Sequence, residues 1–148
     1  MTTGTSKRLQ ITKALSEKFK LLDGANFSSN ISNNSYPKLK FWDEVVDFPC
    51  LYMTPGTENR QYLPGGFKWG FLNVTIKLYC KGENSQEELE QLLGDVELII
   101  DANRVLVYDA VNLYETTEME ISSITTDEGM LAPYAVGEIV VQVQYALQ

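Results

Sequence analysis

From Ser85 to Asp101 the apolar residues fall on one stripe. Leu89, Leu92, Leu93, Val96, Ile99 and Ile100 recur at the three- and four-residue spacing of an α-helix. Ser85-Gln86-Glu87-Glu88 has the form of a capping box and marks the start. Glu87, Glu90, Glu97 and Asp101 take the opposite face. A helix with a single apolar stripe must lie on another element, so this segment dictates a layered fold. Gly94 inside it costs about 1 kcal/mol relative to Ala, which points to a close helix–sheet contact there.

The segment before the helix supplies the surface it needs. Phe67 to Cys80 reads as the longest strand. Phe67, Trp69 and Phe71 share one face, and Leu72, Val74, Ile76, Leu78 and Cys80 share the other. The change of apolar face predicts a bulge or twist near Gly70. Pro64-Gly65-Gly66 ahead of it is a hairpin turn. Upstream, Asp47-Phe48-Pro49 leads into a short strand, Cys50 to Thr54, followed by a loop over Pro55 to Asn59 and an extended Arg60 to Leu63. Ile11, Ala14, Leu15, Phe19 and Leu22 give a first helix, capped by Thr5 or Ser6 and stopped at Gly24. Ala25 to Tyr36 is an Asn/Ser-rich surface loop. Lys38 to Phe48 has no period, and Phe41 and Trp42 are its candidate anchors. Val105 to Tyr108 and Val111 to Tyr114 read as short extended pieces, and Met119 to Thr125 as a strand. The last strand, Val136 to Leu147, turns Ile139, Val141, Val143 and Tyr145 to one face. These elements predict one α+β domain over residues 1–148: an antiparallel or mixed sheet with two amphipathic helices on one face.

Catalytic chemistry finds few footholds. The chain has no histidine, which removes the commonest general base and metal ligand. Cys50 and Cys80 are too far apart for a zinc motif and read as reduced thiols of a cytoplasmic protein, with a bridge between their two strand-like runs as the alternative. Pro64-Gly65-Gly66-Phe67-Lys68 precedes a strand and not a helix, so it is a turn and not a phosphate loop. Glu115, Glu118 and Glu120 lack the apolar surroundings that would bury an acid–base pair, and Asp127-Glu128 offers too few oxygens for calcium. No cofactor or metal is expected. With 20 acidic and 12 basic residues, net charge −8, the chain is poorly suited to gripping nucleic acid or an anionic membrane.

Several apolar residues remain outside this account. Tyr62, Leu63, Phe67 and Trp69 flank one turn, and Met130, Leu131 and Tyr134 sit in a polar loop. Such residues either fold back on their own core or meet another protein, where aromatics and Met are enriched.

The same two places carry a resemblance. Gln61-Tyr62-Leu63-Pro64-Gly65-Gly66-Phe67-Lys68-Trp69 and Thr126-Asp127-Glu128-Gly129-Met130-Leu131-Ala132-Pro133-Tyr134 are similar to runs in the tail terminator, or tail completion, proteins of siphophages of the T5 type. The order of elements resembles that of the wider tail terminator group over about residues 7 to 146. The resemblance implies a structural, non-enzymatic subunit of the virion tail, assembled in the host cytoplasm. It implies a hexameric ring that caps the tail tube, ends its polymerisation and faces the head connector. Its partners would be further copies of itself, the tail tube protein and the connector, while DNA crosses the pore without specific binding. Tyr62, Leu63, Phe67, Trp69, Met130, Leu131 and Tyr134 become the expected protein–protein contacts. Two alternatives stay open: another ring of the tail, such as tube protein or connector, and a small-ligand-binding β-sheet module.

Overall fold

Period-two alternation runs unbroken through the longest strand, and the molecule is organised on it. A computed structural model describes residues 6–147. Helix α1 spans Lys7–Lys18 and tightens into a 3-10 turn at Phe19–Leu21. Strands β1 (Ser35–Tyr36), β2 (Cys50–Leu63) and β3 (Phe67–Lys81) follow, with a 3-10 turn at Trp42–Glu44 between the first two. Then come α2 (Ser85–Ala102), β4 (Val107–Asp109), β5 (Tyr114–Glu115), β6 (Glu118–Thr126) and β7 (Tyr134–Ala146). The main sheet runs β1-β2-β3-β7-β6, and β4-β5 form a separate two-stranded sheet. The β1–β2 pair is parallel and the other pairs are antiparallel, so the sheet is mixed.

Both helices cover one face. Ile11, Leu15, Phe19 and Leu22 from the first helix and Leu89, Leu92, Val96, Ile99 and Ile100 from the second join a core with Leu72, Val74, Ile76, Leu78 and Cys80 of β3 and Ile139, Val141, Val143 and Tyr145 of β7. Each fully buried Leu, Ile or Val contributes roughly 1.5–3 kcal/mol, and this cluster is the fold's main stabilisation. A second cluster lies on the opposite, outer face, where Val45, Cys50, Tyr52 and Tyr79 are buried beneath Trp42 and Phe48. Cys50 pairs with Tyr79 and therefore shares its face, whereas Cys80 points into the helix-covered core. The two thiols are free and sit on opposite sides of the sheet.

Some expectations need correction. β3 has no bulge at Gly70: its register with β7 is continuous from Trp69↔Ala146 to Lys81↔Tyr134. The irregularity is on β2, between Pro55 and Glu58. Pro55 has no N–H for the ladder, and the strand passes through Pro55 to Asn59 instead of breaking into a loop. Gly70 has a different role, because a Cβ there would stand 2.8 Å from the Tyr145 ring.

The close helix–sheet contact is at Gly137, whose Cβ would meet Leu89 Cδ1 at 3.0 Å, and not at Gly94, which has open space around it. Ser85 is the first residue of α2 and not its cap. Asn84 holds the cap position, with no side-chain capping bond. Ser6 likewise precedes α1 without a capping bond, and Thr5 lies outside the described residues. The Asn/Ser loop is anchored at fully buried Ile31 and ends in β1. Asp95, buried on α2, accepts bonds from the Ser29 N–H at 3.1 Å and its hydroxyl at 2.7 Å. Of the expected anchors of Lys38 to Phe48, Trp42 packs inward while Phe41 is exposed.

Candidate assembly surfaces

The pairing of β2 with β3 continues to Leu63↔Phe67, but β3 leaves β7 at Trp69. The stretch from Tyr62 to Lys68 is therefore a two-stranded arm projecting past the five-stranded sheet. Gly65 and Gly66 adopt φ of +86° and +82° at its tip, a left-handed conformation that favours glycine. By register Leu63, Phe67 and Trp69 lie on the arm's outer face, and Tyr62 lies on the other with Lys68, whose ammonium is 5.6 Å from its ring. Tyr62 is 69% and Phe67 58% exposed, and Leu63 is also exposed, while Trp69 is half-buried.

The base of the arm is polar and buried. The Tyr145 hydroxyl donates to Glu58 Oε1, and Arg60 Nε donates to Glu58 Oε2 at 2.7 Å. Only 3% of the Glu58 side chain is accessible. Arg8 donates to the Gly56 carbonyl at the β2 irregularity. Burial, reinforced by the Glu58 hydrogen bond, pushes the Tyr145 hydroxyl far above the usual phenol range, so it remains a donor throughout the working pH range.

The small β4–β5 sheet sits at the same end. Tyr108 packs edge-on against Tyr145 at 6.3 Å. Lys7 donates to the Ala146 carbonyl at 3.1 Å and lies 4.2 Å over the Tyr114 ring. The turn at Val111–Asn112 hangs on the Asp109 carboxylate, which the Asn112 side chain and backbone N–H hold below its usual range. Val111 and Leu113 are almost fully exposed there. Neither was singled out from sequence, since a four-residue piece as short as Val111-Asn112-Leu113-Tyr114 gives no sign of which side chains reach the core.

Met130, Leu131 and Tyr134 lie at the far end of the sheet. β3 joins the two groups, and its 15 residues span roughly 45–50 Å. The seven expected contact residues thus form one group of four and one of three. Met130 is 85% exposed and Leu131 half-buried. Tyr134 is engaged by its own subunit, with its ring 5.1 Å from Trp42 and 5.8 Å from Phe48.

Asp127 organises the Met130 loop. It accepts the N–H of Leu131 at 3.0 Å and of Val136 at 3.1 Å. Burial pushes this carboxyl up, but those two N–H bonds outweigh it and hold it below the usual range. Its oxygens therefore serve the loop's own backbone. Of the three clustered glutamates, Glu118 forms a two-point bond with Arg104 at 2.6 and 2.8 Å, while Glu115 and Glu120 are exposed.

Beside this end, on the outer face, the strap from Leu39 to Glu44 crosses the sheet and leaves a groove of about 440 Å³ walled by Leu39, Phe41, Trp42, Tyr79 and Val136 together with the charged Lys40, Glu44 and Lys77. Tyr79 pins the strap by donating to the Lys40 carbonyl at 2.6 Å. Among the described residues no three of His, Cys, Asp and Glu converge as metal ligands, and no helix is long and apolar enough to cross a membrane.

Comparison with known proteins agrees with a role in assembly. Residues 1–148 match the model of a family described as Bacteriophage Tail Tube Terminator Protein. Tail tube terminator protein p142 of Escherichia phage T5 is 37% identical over 153 positions, covering 93% of this chain and 92% of that one. A chain from the virion of a native gene transfer agent particle has the same fold, with a TM-score of 0.56 at 10% identity over 92% of this chain and 94% of its own.

Proposed function

This chain belongs to the bacteriophage tail tube terminator family, and from that premise we propose that it forms a homo-hexameric ring on the last ring of the tail tube. The ring ends tube polymerisation and presents the tail's surface to the head connector. It assembles in the host cytoplasm and remains in the virion tail. It acts without catalysis, cofactor or metal.

The observation that carries this reading is the 37% identity to the T5 terminator over 93% of the chain. The two ends of the sheet support it. Each presents apolar side chains that the subunit leaves uncovered, Tyr62, Leu63 and Phe67 at one and Met130 at the other, and a part lying between a tube and a connector needs two such surfaces. The charge of −8 on each copy gives a passing phosphate backbone little to bind. Deleting the gene and viewing lysates by electron microscopy tests the function. Overlong tails detached from full heads are expected, and normal tails on intact particles would overturn it.

A further inference from the structure

We propose that copies join side by side through charge, the basic β1 edge of one sheet meeting the acidic β6 edge of the next, and that this contact, repeated head to tail, closes the ring. The inference rests on the ring reading above and names the surfaces that make it.

The charge of the chain is divided along its length. Residues 6–40 hold seven cations and two acids, whereas residues 85–120 hold ten acids and one cation. The fold carries these groups to opposite edges of the main sheet, because α1 packs against β1 and β2 while α2 packs against β3, β7 and β6. At the β1 edge Lys13, Glu17 and Lys20 stand around one recess with Tyr36 and Pro37. The Lys38 ammonium lies 5.7 Å from the Tyr36 ring. Lys20 is paired with Glu17 at 2.8 Å, which leaves Lys13 and Lys38, both exposed.

The acids of α2 gather on its other side. At about 100° per residue, Glu90, Glu97 and Asp101 form one stripe with Gln86, on the flank away from Gln91 and Asp95. Those two turn to Ser28 and Ser29, so the stripe turns to β6. At its start the Gln86 amide is 4.0 Å from the Cβ position of Gly129, in the loop after β6. At its end Arg104 is held in its charged form by Glu118 first, with Asp101 and Glu120 adding to it. Glu118 takes that arginine at 2.6 Å, whereas Glu90, Glu97, Asp101 and Glu120 are exposed. Among the described residues, neither these four carboxylates nor Lys13 and Lys38 meet an opposite charge within 4 Å. One edge thus sets three lysines against one glutamate, and the other sets five carboxylates against one arginine.

Four strand spacings, about 19 Å, separate β1 from β6. Screening leaves a reach of about 8 Å at physiological ionic strength, so a copy cannot neutralise its own edges. A two-fold pair through either edge would set like charge against like. Head-to-tail repetition sets lysines against carboxylates at every joint, which is the heterologous contact that closes a ring. The chain supplies both halves of the contact, so a second copy is the partner that fits, and complementary charge fixes its register.

The test treats tails with a carbodiimide, which joins a lysine to a carboxylate without a spacer. Denaturing gels should show a ladder in steps of the 16.7 kDa chain, ending at six. Mass spectrometry should find Lys13 or Lys38 joined to Glu90, Glu97, Asp101 or Glu120. The two edges of one copy are too far apart for such a link, so each link marks a joint between copies. An end ring that is intact by microscopy but lacks these links overturns the contact and leaves the ring reading standing, as do links from those lysines to a different protein. A ladder running beyond six overturns ring closure, and tails complete without any ring of this chain overturn both. A charge exchange tests the same joint in assembly. Lys13→Glu with Lys38→Glu should leave the melting temperature unchanged and lower the yield of completed tails at least tenfold. Adding Glu90→Lys, Glu97→Lys and Asp101→Lys should restore it. A double change without effect on yield, or a combined chain as defective as the double, overturns the contact.

Discussion

Three glycines with different surroundings allow the packing to be tested on one scale. Replacing Gly70 with Ala would place a methyl 2.8 Å from Tyr145 Cε1 and 3.1 Å from its Cζ. Carbon atoms pack best at about 3.5–4.0 Å, so the ring must recede by about 0.7–1 Å. Its hydroxyl then leaves Glu58, whose side chain is buried. Overpacking costs about 1–3 kcal/mol, and a hydrogen bond to a charged group about 1.5–3 kcal/mol. The two losses share one movement and add only in part, so Gly70→Ala should destabilise by ~2–4 kcal/mol. At Gly137 the obstacle is a Leu89 methyl at 3.0 Å, which rotates more easily than a buried ring, so Gly137→Ala should cost about 1 kcal/mol. Gly94 is exposed within α2 and meets nothing, so Gly94→Ala should stabilise by ~0.8–1 kcal/mol. Urea unfolding followed by tryptophan fluorescence at one fixed protein concentration reads all three. The reasoning fails if Gly70→Ala unfolds within about 0.5 kcal/mol of the parent, or if Gly94→Ala is the most damaging of the set.

Four further outcomes are expected. Leu92→Ala should destabilise by ~2–5 kcal/mol, whereas Met130→Ala should stay within ~0.5 kcal/mol yet reduce tail completion, as thermal melting and plaque yield can measure side by side. The thiols should be unreactive toward a thiol reagent in the native protein and both react in urea. Burial pushes Cys50 from 9.0 up to about 12, so the native state holds a proton that the unfolded chain releases, and stability should fall as pH rises from 9 toward 12, as urea midpoints taken across that range would show. Prolonged chelation should leave the melting temperature unchanged, and a fall on metal removal would refute the metal-free reading.

The helix-covered half of the fold was legible because each element there has a period. The stripe from Leu89 to Ile100 and the alternation from Leu72 to Cys80 name the buried residues correctly. Errors arose where one signal had two physical causes. The change of apolar face in β3 suggests a bulge, but the strand keeps its register, and Phe67, Trp69 and Phe71 lie on its outer face outside both buried clusters. A Gly-containing helix was read as a close contact, although the close contact belongs to Gly137 on the partner strand. The capping box was one residue out of step with the helix start. At the two ends of the sheet, the uncovered Tyr62, Leu63, Phe67 and Met130 were legible as apolar residues beside turns. The engagement of Tyr134 by Trp42 and Phe48 was not, because it depends on an aperiodic strap more than eighty residues away.

The arm also explains why a carboxylate is buried in its base. A two-stranded hairpin is marginal by itself in water, and beyond Trp69 the arm has little more than its own ladder, with one added bond from the Leu147 N–H to the Lys68 carbonyl at 3.0 Å. Its direction must therefore be fixed where it leaves the sheet. There the β2 irregularity would give the strand freedom to swing. Glu58, just past that irregularity, is bound by Tyr145 of β7 and by Arg60 of β2, while Arg8 of α1 holds Gly56 before it. Three elements thus converge on the hinge. Losing the Tyr145 bond would cost about 1.5–3 kcal/mol, the worth of a hydrogen bond to a charged group, even with Arg60 still beside the carboxylate. That penalty falls on any swing that separates Glu58 from Tyr145. Gly70 completes the arrangement by leaving room for the ring to lie across β3 and reach the carboxylate. A hydrophobic residue at position 58 would bury as well, but it would not specify one angle. The hydrogen-bonded carboxylate does, because its two partners lie on different strands.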